Sequence, residues 1–227
     1  PSSTDRGMEV IKKFGLKNVK VDLTEAFYHI RDQVKRDLNH TLSNATEGAL
    51  RSCLRAPTLD YVGKATNGII VGTGNRDEDE VTRYFQKRGD GCVDISPIAK
   101  LHKSEVYELC EYLGVPKSVL KAKPSADLWG PDSGQEDEKE LGMTYADVER
   151  GIRLGQAKHR RDVSGYYSTG IKPRPNVSSY NLLEQAQNSE NAKDLELLCK
   201  LAKMELASKH KTRLPVCDPS SVEGLLD

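Results

Sequence analysis

The sequence predicts an α/β fold: a doubly wound parallel sheet with helices on both faces. Two observations lead to this class. Short apolar or alternating runs, which are typical of strands, occur along the chain in alternation with helical patterns. That order favours a parallel sheet covered by helices on both faces. The length of 227 residues and the hydrophobic fraction of 37% suit one globular domain.

The first elements are helices separated by a strand. Residues 5–14 have the apolar spacing of a helix, and residues 18–23 (NVKVDL) alternate as a strand does. Thr24 is the predicted cap of a second helix. A third helix is predicted from about Thr46, with Pro57 expected to bend or break it.

The middle of the chain continues the alternation. The apolar run at 68–72 is predicted to be a buried strand. Asn75 is a suitable N-cap for a helix that ends at Gly89. A short segment at 93–95 then leads to a helix over 103–113.

The C-terminal part is less regular. Residues 121–139 are predicted to be a long loop, which in compact domains is often a lid. A helix is predicted at 143–152 with Thr144 as its cap. Residues 154–192 are predicted to be a polar insertion with weak or no structure. A final helix passes Leu195 and Leu206, and residues 1–227 are treated as one domain.

Composition excludes several classes of function. The formal net charge is zero and the isoelectric point is about 7.3, so no overall field favours nucleic acid or membrane. The five cysteines include no C-x-x-C pair, which argues against a disulfide framework or zinc site and favours the cytoplasm. The chain starts at Pro1, its first methionine is Met8, and it opens on a helix, so we expect it to be processed or part of a longer protein.

A dense acidic patch follows the apolar run at 68–72. Four acids, residues 77–80, come after a turn that contains Thr73. Ligands of open parallel sheets bind outside the carboxyl ends of the strands, where helix amides favour phosphate and carboxylates favour Mg²⁺. Alternatively, the acids stabilise the helix dipole by about 0.3–1 kcal/mol each. Since successive helical positions point about 100° apart, at most one or two acids would face a ligand.

Three further charged residues are candidates for the same site. Lys103 begins a helix, where a cation opposes the dipole, and a bound phosphate would resolve that conflict. Lys87 and Asp94 flank the turn at 89–91, where they could bind a polar substrate. Solvated surface charge is the alternative for all three.

Several unusual motifs occur together in a fixed order. The segments GTGNRDEDE, KRGDGCVDISPIAKLHKSEVYELCEYLGVP, KPSADLW and DEKELGMTYADVE, with PSST before them and HKTRLP after them, resemble ammonia-dependent NAD⁺ synthetases. The resemblance covers most of residues 1–153 and then 208–215. It offers no counterpart for the insertion at 154–192.

The resemblance implies a fold and a reaction. It implies a Rossmann-like ATP pyrophosphatase that acts as a homodimer in the cytoplasm. Such enzymes use ATP and Mg²⁺ to adenylate the nicotinate carboxylate of deamido-NAD⁺, releasing pyrophosphate. Ammonia then displaces AMP to give NAD⁺. No glutaminase domain is visible in the sequence, so free ammonia is the predicted nitrogen source.

The resemblance also assigns site residues, none of them as a covalent catalyst. Ser125 stands where these enzymes usually have threonine, and the segment 121–139 matches a loop that orders over the substrates. For His210 and Lys211, the alternative is that two cations complement a helix C-terminus. The implied roles are ATP binding by Thr73, Lys103 and Ser125, deamido-NAD⁺ binding by Lys87, Asp94, His210 and Lys211, and Mg²⁺ binding by Glu78.

The sequence departs from the family's pattern in two places. The ATP loop S-G-G-x-D-S is absent, and we expect it upstream of Pro1; without it, no turnover is expected. Ala49 and Cys53 replace the usual asparagine and arginine. The missing arginine contacts deamido-NAD⁺ through a charge-assisted hydrogen bond of about 1.5–3 kcal/mol. Arg51 or Arg55 is a possible substitute.

Two other functions stay open at this point. The chain could be a degenerate, non-catalytic nucleotide-binding or assembly subunit that lacks the ATP loop. It could also be another ATP pyrophosphatase, such as the synthetase domain of an amidotransferase. The GDGxVD and ELGMTY stretches count against the latter.

Overall fold

The structure is a computed structural model that describes residues 2–39, 41–128, 135–156 and 177–211. Helices account for most of the regular structure in these ranges. A π-helix covers Asp77–Thr82 and a 3₁₀ turn covers Lys209–Lys211. The α-helices are α1 (Ser3–Phe14), α2 (Thr24–Leu38), α3 (Asn44–Thr66), α4 (Lys103–Tyr112), α5 (Lys117–Leu120), α6 (Asp137–Leu141), α7 (Tyr145–Gln156), α8 (Ser179–Gln187) and α9 (Ala192–Ser208).

The chain forms two compact units. The first unit contains residues 1–79 and 84–150, and the second contains residues 80–83 and 151–227. The predicted site residues up to Ser125 belong to the first unit. His210 and Lys211 belong to the second unit.

Helix α3 is longer and more continuous than predicted. It runs through Pro57 without a break, so the predicted break is wrong, whereas the alternative of a bend at Pro57 stays a prediction. Ser43 caps the start by accepting a hydrogen bond from the Thr46 amide, and Ser52 and Ala56 bury one face. These contributions help to offset the roughly 3 kcal/mol that an internal proline costs. Thr24 does begin α2, but the capping position belongs to Leu23.

The predicted sheet is not confirmed. Within the described ranges, the β structure is one isolated parallel bridge between Val71 and Ile95. The predicted strand at 18–23 is wrong, since these residues carry no strand and Val19 is 70% exposed. Ile69 is 63% exposed, so the apolar run is not the buried strand that we expected. A strand needs a hydrogen-bonded neighbour, and alternation alone does not supply one.

The Val71–Ile95 bridge nevertheless places two chain segments side by side. The Gly72 amide donates to the Ile95 carbonyl at 2.7 Å, and the Asp94 amide donates to the Ile70 carbonyl at 3.0 Å. A Cβ on Gly72 would lie only 2.8 Å from the Ser96 hydroxyl, so the approach requires glycine. The bridge therefore places the segment that follows Val71 beside the segment that follows Ile95.

The second unit corrects the prediction for residues 154–192. Residues 157–176 of that stretch lie outside the described ranges. Residues 154–156 belong to α7, and Ser179–Gln187 form α8, so the expected lack of structure is wrong there. Ser178 and Asn181 form a capping box, and Leu182 is fully buried. Few apolar residues suffice because the other side of α8 faces solvent.

The remaining helix predictions are largely confirmed. Helix α4 begins at Lys103 and α7 at Tyr145, where Thr144 accepts a hydrogen bond from the Asp147 amide at 3.1 Å. Helix α9 buries Leu198 and Leu201. None of the helices described is long and apolar enough to cross a lipid bilayer.

Candidate functional site

The acidic run folds as a π-helix. As predicted, Asn75 caps it: its side-chain oxygen accepts hydrogen bonds from the Asp77 and Glu78 amides at 3.0 and 3.2 Å. The predicted continuation to Gly89 is wrong, because the helix ends at Thr82 and bends and turns follow. π-Helices are rare and frequently mark functional sites.

Asp77 fixes the start of α4 beside the π-helix. One oxygen of its buried carboxylate lies 2.6 Å from His102 Nδ1, and the other accepts the Lys103 amide at 2.7 Å. A carboxylate at a helix N-terminus complements the dipole. This contact offsets the unfavourable position of the Lys103 cation and aims its side chain at the π-helix.

Glu78 and Lys103 are in direct contact. Lys103 Nζ lies 2.7 Å from Glu78 Oε1, and the Tyr145 hydroxyl lies 3.1 Å from the same oxygen. Glu78 Oε2 accepts the Asn75 amide at 3.2 Å. The Lys103 ammonium also sits 4.7 Å from the centre of the Tyr145 ring, within cation–π range. The structure thus unites two predicted residues and adds Tyr145, which the sequence did not single out.

A second carboxylate meets this group from α6. Asp137 Oδ2 lies 3.0 Å from the Tyr145 hydroxyl, while the buried Oδ1 makes no hydrogen bond to any residue that the structure describes. Burial raises the pKa of Asp137 and nearby Glu78 adds to the rise, against the opposing effects of Tyr145, Lys103 and the Ala126 amide. Burial, Glu78 and Asp137 raise the pKa of Tyr145, which keeps its hydroxyl protonated.

The other acids of the run point elsewhere, as the helical geometry predicts. Asp79 lies over Gly74, where a Cβ would come within 2.4 Å of its carboxylate. Burial, Glu78 and Asp90 raise the pKa of Asp79 to about 6. Glu80 belongs to the second unit and accepts the Val177 amide. Glu78 contacts the Lys103 ammonium and the Tyr145 hydroxyl, whereas Asp77 accepts the Lys103 backbone amide.

Thr73, Asp94 and Lys87 lie along the same stretch of the first unit. Thr73 is exposed in the turn that leads to Asn75. Asp94 accepts the Ile70 amide at 2.7 Å, which ties it to the paired segment. Lys87 is partly buried in the bends after the π-helix. The structure thus places Asp94 against the backbone of Ile70.

Ser125 is held near α6. Its hydroxyl donates to the Gln135 carbonyl at 2.8 Å, and the Asp137 amide donates to the Pro124 carbonyl at 3.1 Å. The predicted loop 121–139 ends three residues early, because α6 begins at Asp137, and residues 129–134 lie outside the described ranges. The segment that carries Ser125 is therefore tied to the helix that carries Asp137.

The positions of the two sequence departures lie on α3. Cys53 Sγ is 3.5 Å from the Gln86 amide nitrogen, and Ala49 lies one helical turn earlier. Arg51 is fixed elsewhere: it donates to the Leu128 carbonyl at 2.7 Å and stacks 4.3 Å from the Phe27 ring centre. It lines a cavity of about 240 Å³ between α2 and α3 together with Arg55.

His210 and Lys211 lie in the second unit, at the end of α9. Lys211 donates from Nζ to the Arg83 carbonyl at 2.8 Å, and His210 is exposed. The Arg83 guanidinium pairs with buried Glu205 at 2.7 Å. Burial by itself raises the pKa of Glu205, but hydrogen bonds from Arg83 and Ser179 outweigh it and leave the pKa below its usual value.

Another cluster of possible metal ligands adjoins Glu78. One ligand atom each of Asp77, His102 and Glu149 lies within 4.8 Å of the others. The Ser104 hydroxyl donates to Glu149 at 2.7 Å, and Asp77 is bound as described above. These hydrogen bonds hold the N-terminus of α4 in place, which accounts for the grouping of the three side chains without a metal ion. A histidine just before the helix start is the signal of this cluster in the sequence.

Comparison with known proteins places the chain among synthetases. The family model described as NAD synthase matches residues 1–174. The NH₃-dependent NAD⁺ synthetase of Carboxydothermus hydrogenoformans is 35% identical over 156 residues, covering 69% of this chain and 63% of that protein. The enzyme of the same name from Alkaliphilus oremlandii is 38% identical over 166 residues, covering 70% and 64%.

Two solved structures share the fold. The NMN synthetase of Francisella tularensis matches with a TM-score of 0.69 and 26% identity, covering 95% of this chain and 72% of that one. The NH₃-dependent NAD synthetase of Campylobacter jejuni matches with a TM-score of 0.62, covering 95% and 71%, and its 14% identity shows the fold alone. This chain spans slightly less than two thirds of the length of the two curated relatives. With a family match over more than half of its residues, the chain belongs to the NAD synthase family.

Proposed function

We propose that this protein converts deamido-NAD⁺ to NAD⁺ with ATP, Mg²⁺ and ammonia, releasing AMP and pyrophosphate. The observation that carries the proposal is the contact of Glu78 with Lys103 and Tyr145. It lies in a chain whose curated relatives are named NH₃-dependent NAD⁺ synthetases. We also propose that the enzyme acts as a homodimer in the cytoplasm.

The chemistry requires charge compensation at the phosphates. A carboxylate is a poor electrophile, so transfer of AMP to the nicotinate gives ammonia a group to displace. Lys103 would offset the charge of the departing pyrophosphate, because a fixed cation stabilises developing negative charge. Glu78 and the neighbouring oxygens form a hard-ligand set that fits Mg²⁺. Once bound, Mg²⁺ would supply further electrostatic stabilisation of the phosphates.

The remaining residues are assigned to the two nucleotides. Thr73 and Ser125 would bind ATP through their hydroxyl groups. The Ser125 hydroxyl donates to the Gln135 carbonyl in the free protein, so this contact must be exchanged when ATP binds. Contacts to deamido-NAD⁺ are assigned to Lys87, Asp94, His210 and Lys211.

The test is an assay of the complete protein. Incubation with ATP, Mg²⁺, ammonium and deamido-NAD⁺ should give AMP and NAD⁺ in equal amounts. Omission of ammonium should abolish NAD⁺ formation. A folded protein that forms neither product would refute the proposed function. It would favour the non-catalytic subunit, which the names of the relatives do not support.

A second substrate has one observation in its favour. Cys53 replaces the arginine that the family pattern places against deamido-NAD⁺, and one matching structure is named NMN synthetase. We therefore propose nicotinate mononucleotide as the second candidate for amidation. Parallel assays with the two acids decide between them: the true substrate has the higher kcat/KM.

A further inference from the structure

Among the described residues, no group makes a hydrogen bond to Oδ1 of the Asp137 carboxylate, which is buried. The residue is 7% exposed. Native structures rarely leave buried polar atoms unpaired, and one that stays unpaired calls for a ligand or another explanation. The Ala126 backbone amide acts to lower the pKa of Asp137. It does not make a hydrogen bond to Oδ1.

Tyr145 joins this carboxylate to Glu78. Its hydroxyl oxygen is 3.0 Å from Asp137 Oδ2 and 3.1 Å from Glu78 Oε1. A phenol has a single proton, so it donates to only one of the two carboxylates at a time. The Lys103 ammonium contacts Glu78 at 2.7 Å. Two carboxylates therefore share one hydroxyl near this ammonium, and a divalent cation would reduce their mutual repulsion.

We propose that Asp137 supplies a second carboxylate ligand to the divalent cation at Glu78. The inference rests on the proposed function, in which Glu78 binds Mg²⁺. Carboxylate oxygens are the ligands that Mg²⁺ and Mn²⁺ prefer. The Asp137 amide also bonds to the Pro124 carbonyl, so a cation held by both carboxylates would connect the segment of Ser125 to the π-helix.

The test measures cation binding without nucleotide, so it does not depend on turnover. Mn²⁺ is titrated into the purified protein, and electron paramagnetic resonance counts the free ion. Wild type should bind one Mn²⁺, with at least roughly tenfold weaker binding in Glu78→Gln and in Asp137→Asn. Glu108→Gln is the control, because it removes an exposed carboxylate from α4, the helix that carries Lys103. Its affinity should stay within about twofold of wild type.

Three outcomes overturn the proposal. They are wild-type affinity in Asp137→Asn, equal weakening in Glu108→Gln, and no Mn²⁺ bound by the wild type at about 1 mM. If the asparagine variant does not fold, Asp137→Ser is measured instead. Thermal unfolding gives a second readout: Mn²⁺ should raise the Tm of wild type by mass action but not that of the Asp137 variants.

The outcome also separates this inference from the reaction. NAD⁺ formation together with Mn²⁺ binding that does not depend on Asp137 overturns the second ligand and keeps the function. Mn²⁺ binding that depends on Asp137, in a protein that makes no NAD⁺, keeps the second ligand and overturns the proposed function.

Discussion

Glu78 has its orientation set by three donors at once. The Lys103 ammonium, the Tyr145 hydroxyl and the Asn75 amide all contact its carboxylate. A side chain held this firmly loses little further entropy when a cation arrives, which is the advantage of preorganisation. The cation would have to displace Lys103 from Oε1 or share that oxygen with it.

Replacement of Glu78 by glutamine removes the charge and keeps the shape. We expect kcat with Mg²⁺ to fall by roughly 10²-fold or more. The unfolding free energy should change by about 1 kcal/mol or less, because the amide oxygen still accepts hydrogen bonds. Steady-state kinetics and urea unfolding measure the two effects. Asp60→Asn, which neutralises an exposed acid on α3, is the control, and near-normal kcat in Glu78→Gln would remove this residue from the metal site.

Cys53 offers a test of substrate recognition. Restoring the family's residue with Cys53→Arg should add a charge-assisted contact of about 1.5–3 kcal/mol, which lowers the KM for deamido-NAD⁺ about tenfold or more. Cys53→Met is the control for side-chain size. A KM that does not change would show that Arg51, Arg55 or another group already performs this role, or that the enzyme prefers the mononucleotide.

Individual residues were predictable only where a motif carried them. Glu78 and Lys103 follow from the acidic run and from a cation at a helix start. Tyr145 and Asp137 gave no such signal, since Tyr145 reaches Glu78 across 67 positions of sequence. Periodicity reports neighbours within a turn or two, so contacts over that separation emerge only from the folded chain.

At the scale of elements, local signals predicted helices better than the sheet. Helices α4 and α9 have regular apolar spacing, and caps or flanking glycine and proline mark several helix ends. The π-helix was not predicted, because six residues with one cap fit an α-helix equally well. Contacts of Asp77 and Glu78 with residues 25 positions away help decide the geometry. Strands depend still more on distant partners.

Pro57 gives α3 a local weakness that can be removed. An alanine restores the missing amide hydrogen bond and helix propensity, worth up to about 3 kcal/mol. The loss of proline's restraint on the unfolded chain offsets about 0.4–1 kcal/mol of this gain. We expect Pro57→Ala to raise the unfolding free energy by about 1–2 kcal/mol in urea titrations. The exposed Asp60→Ala should have little effect, and equal stability of the two variants would contradict the prediction.

At the scale of the whole molecule, the sequence predicted the first unit better than the second. The first unit carries most of the motifs that the sequence shares with the family, and those motifs predicted Glu78 and Lys103. The second unit was expected to contain a polar insertion, yet Leu182, Leu198 and Leu201 form a core there. The helices that form this core are amphipathic, and their few apolar residues stand among many polar ones. The apolar spacing in the sequence was therefore too weak to predict this core.

The buried pair of Arg83 and Glu205 should control the stability of the second unit. Glu205→Gln leaves the Arg83 charge without its counter-ion, so we expect a loss of about 3–5 kcal/mol at pH 7. Hydrogen exchange should show the lost protection in α8 and α9, with α1 and α3 unchanged. Glu196→Gln, at an exposed position of the same helix, is the control.

The same pair predicts a dependence on pH with a definite sign. The pKa of Glu205 lies below its ordinary value of 4.5 in the folded protein. Its contribution to stability is therefore complete above that value and is lost as the pH falls through the lower folded pKa. The difference in unfolding free energy between wild type and Glu205→Gln should be constant from pH 6 to 8 and shrink in acid. A difference that persists undiminished below the folded pKa would show that packing, rather than charge, holds α9 to Arg83.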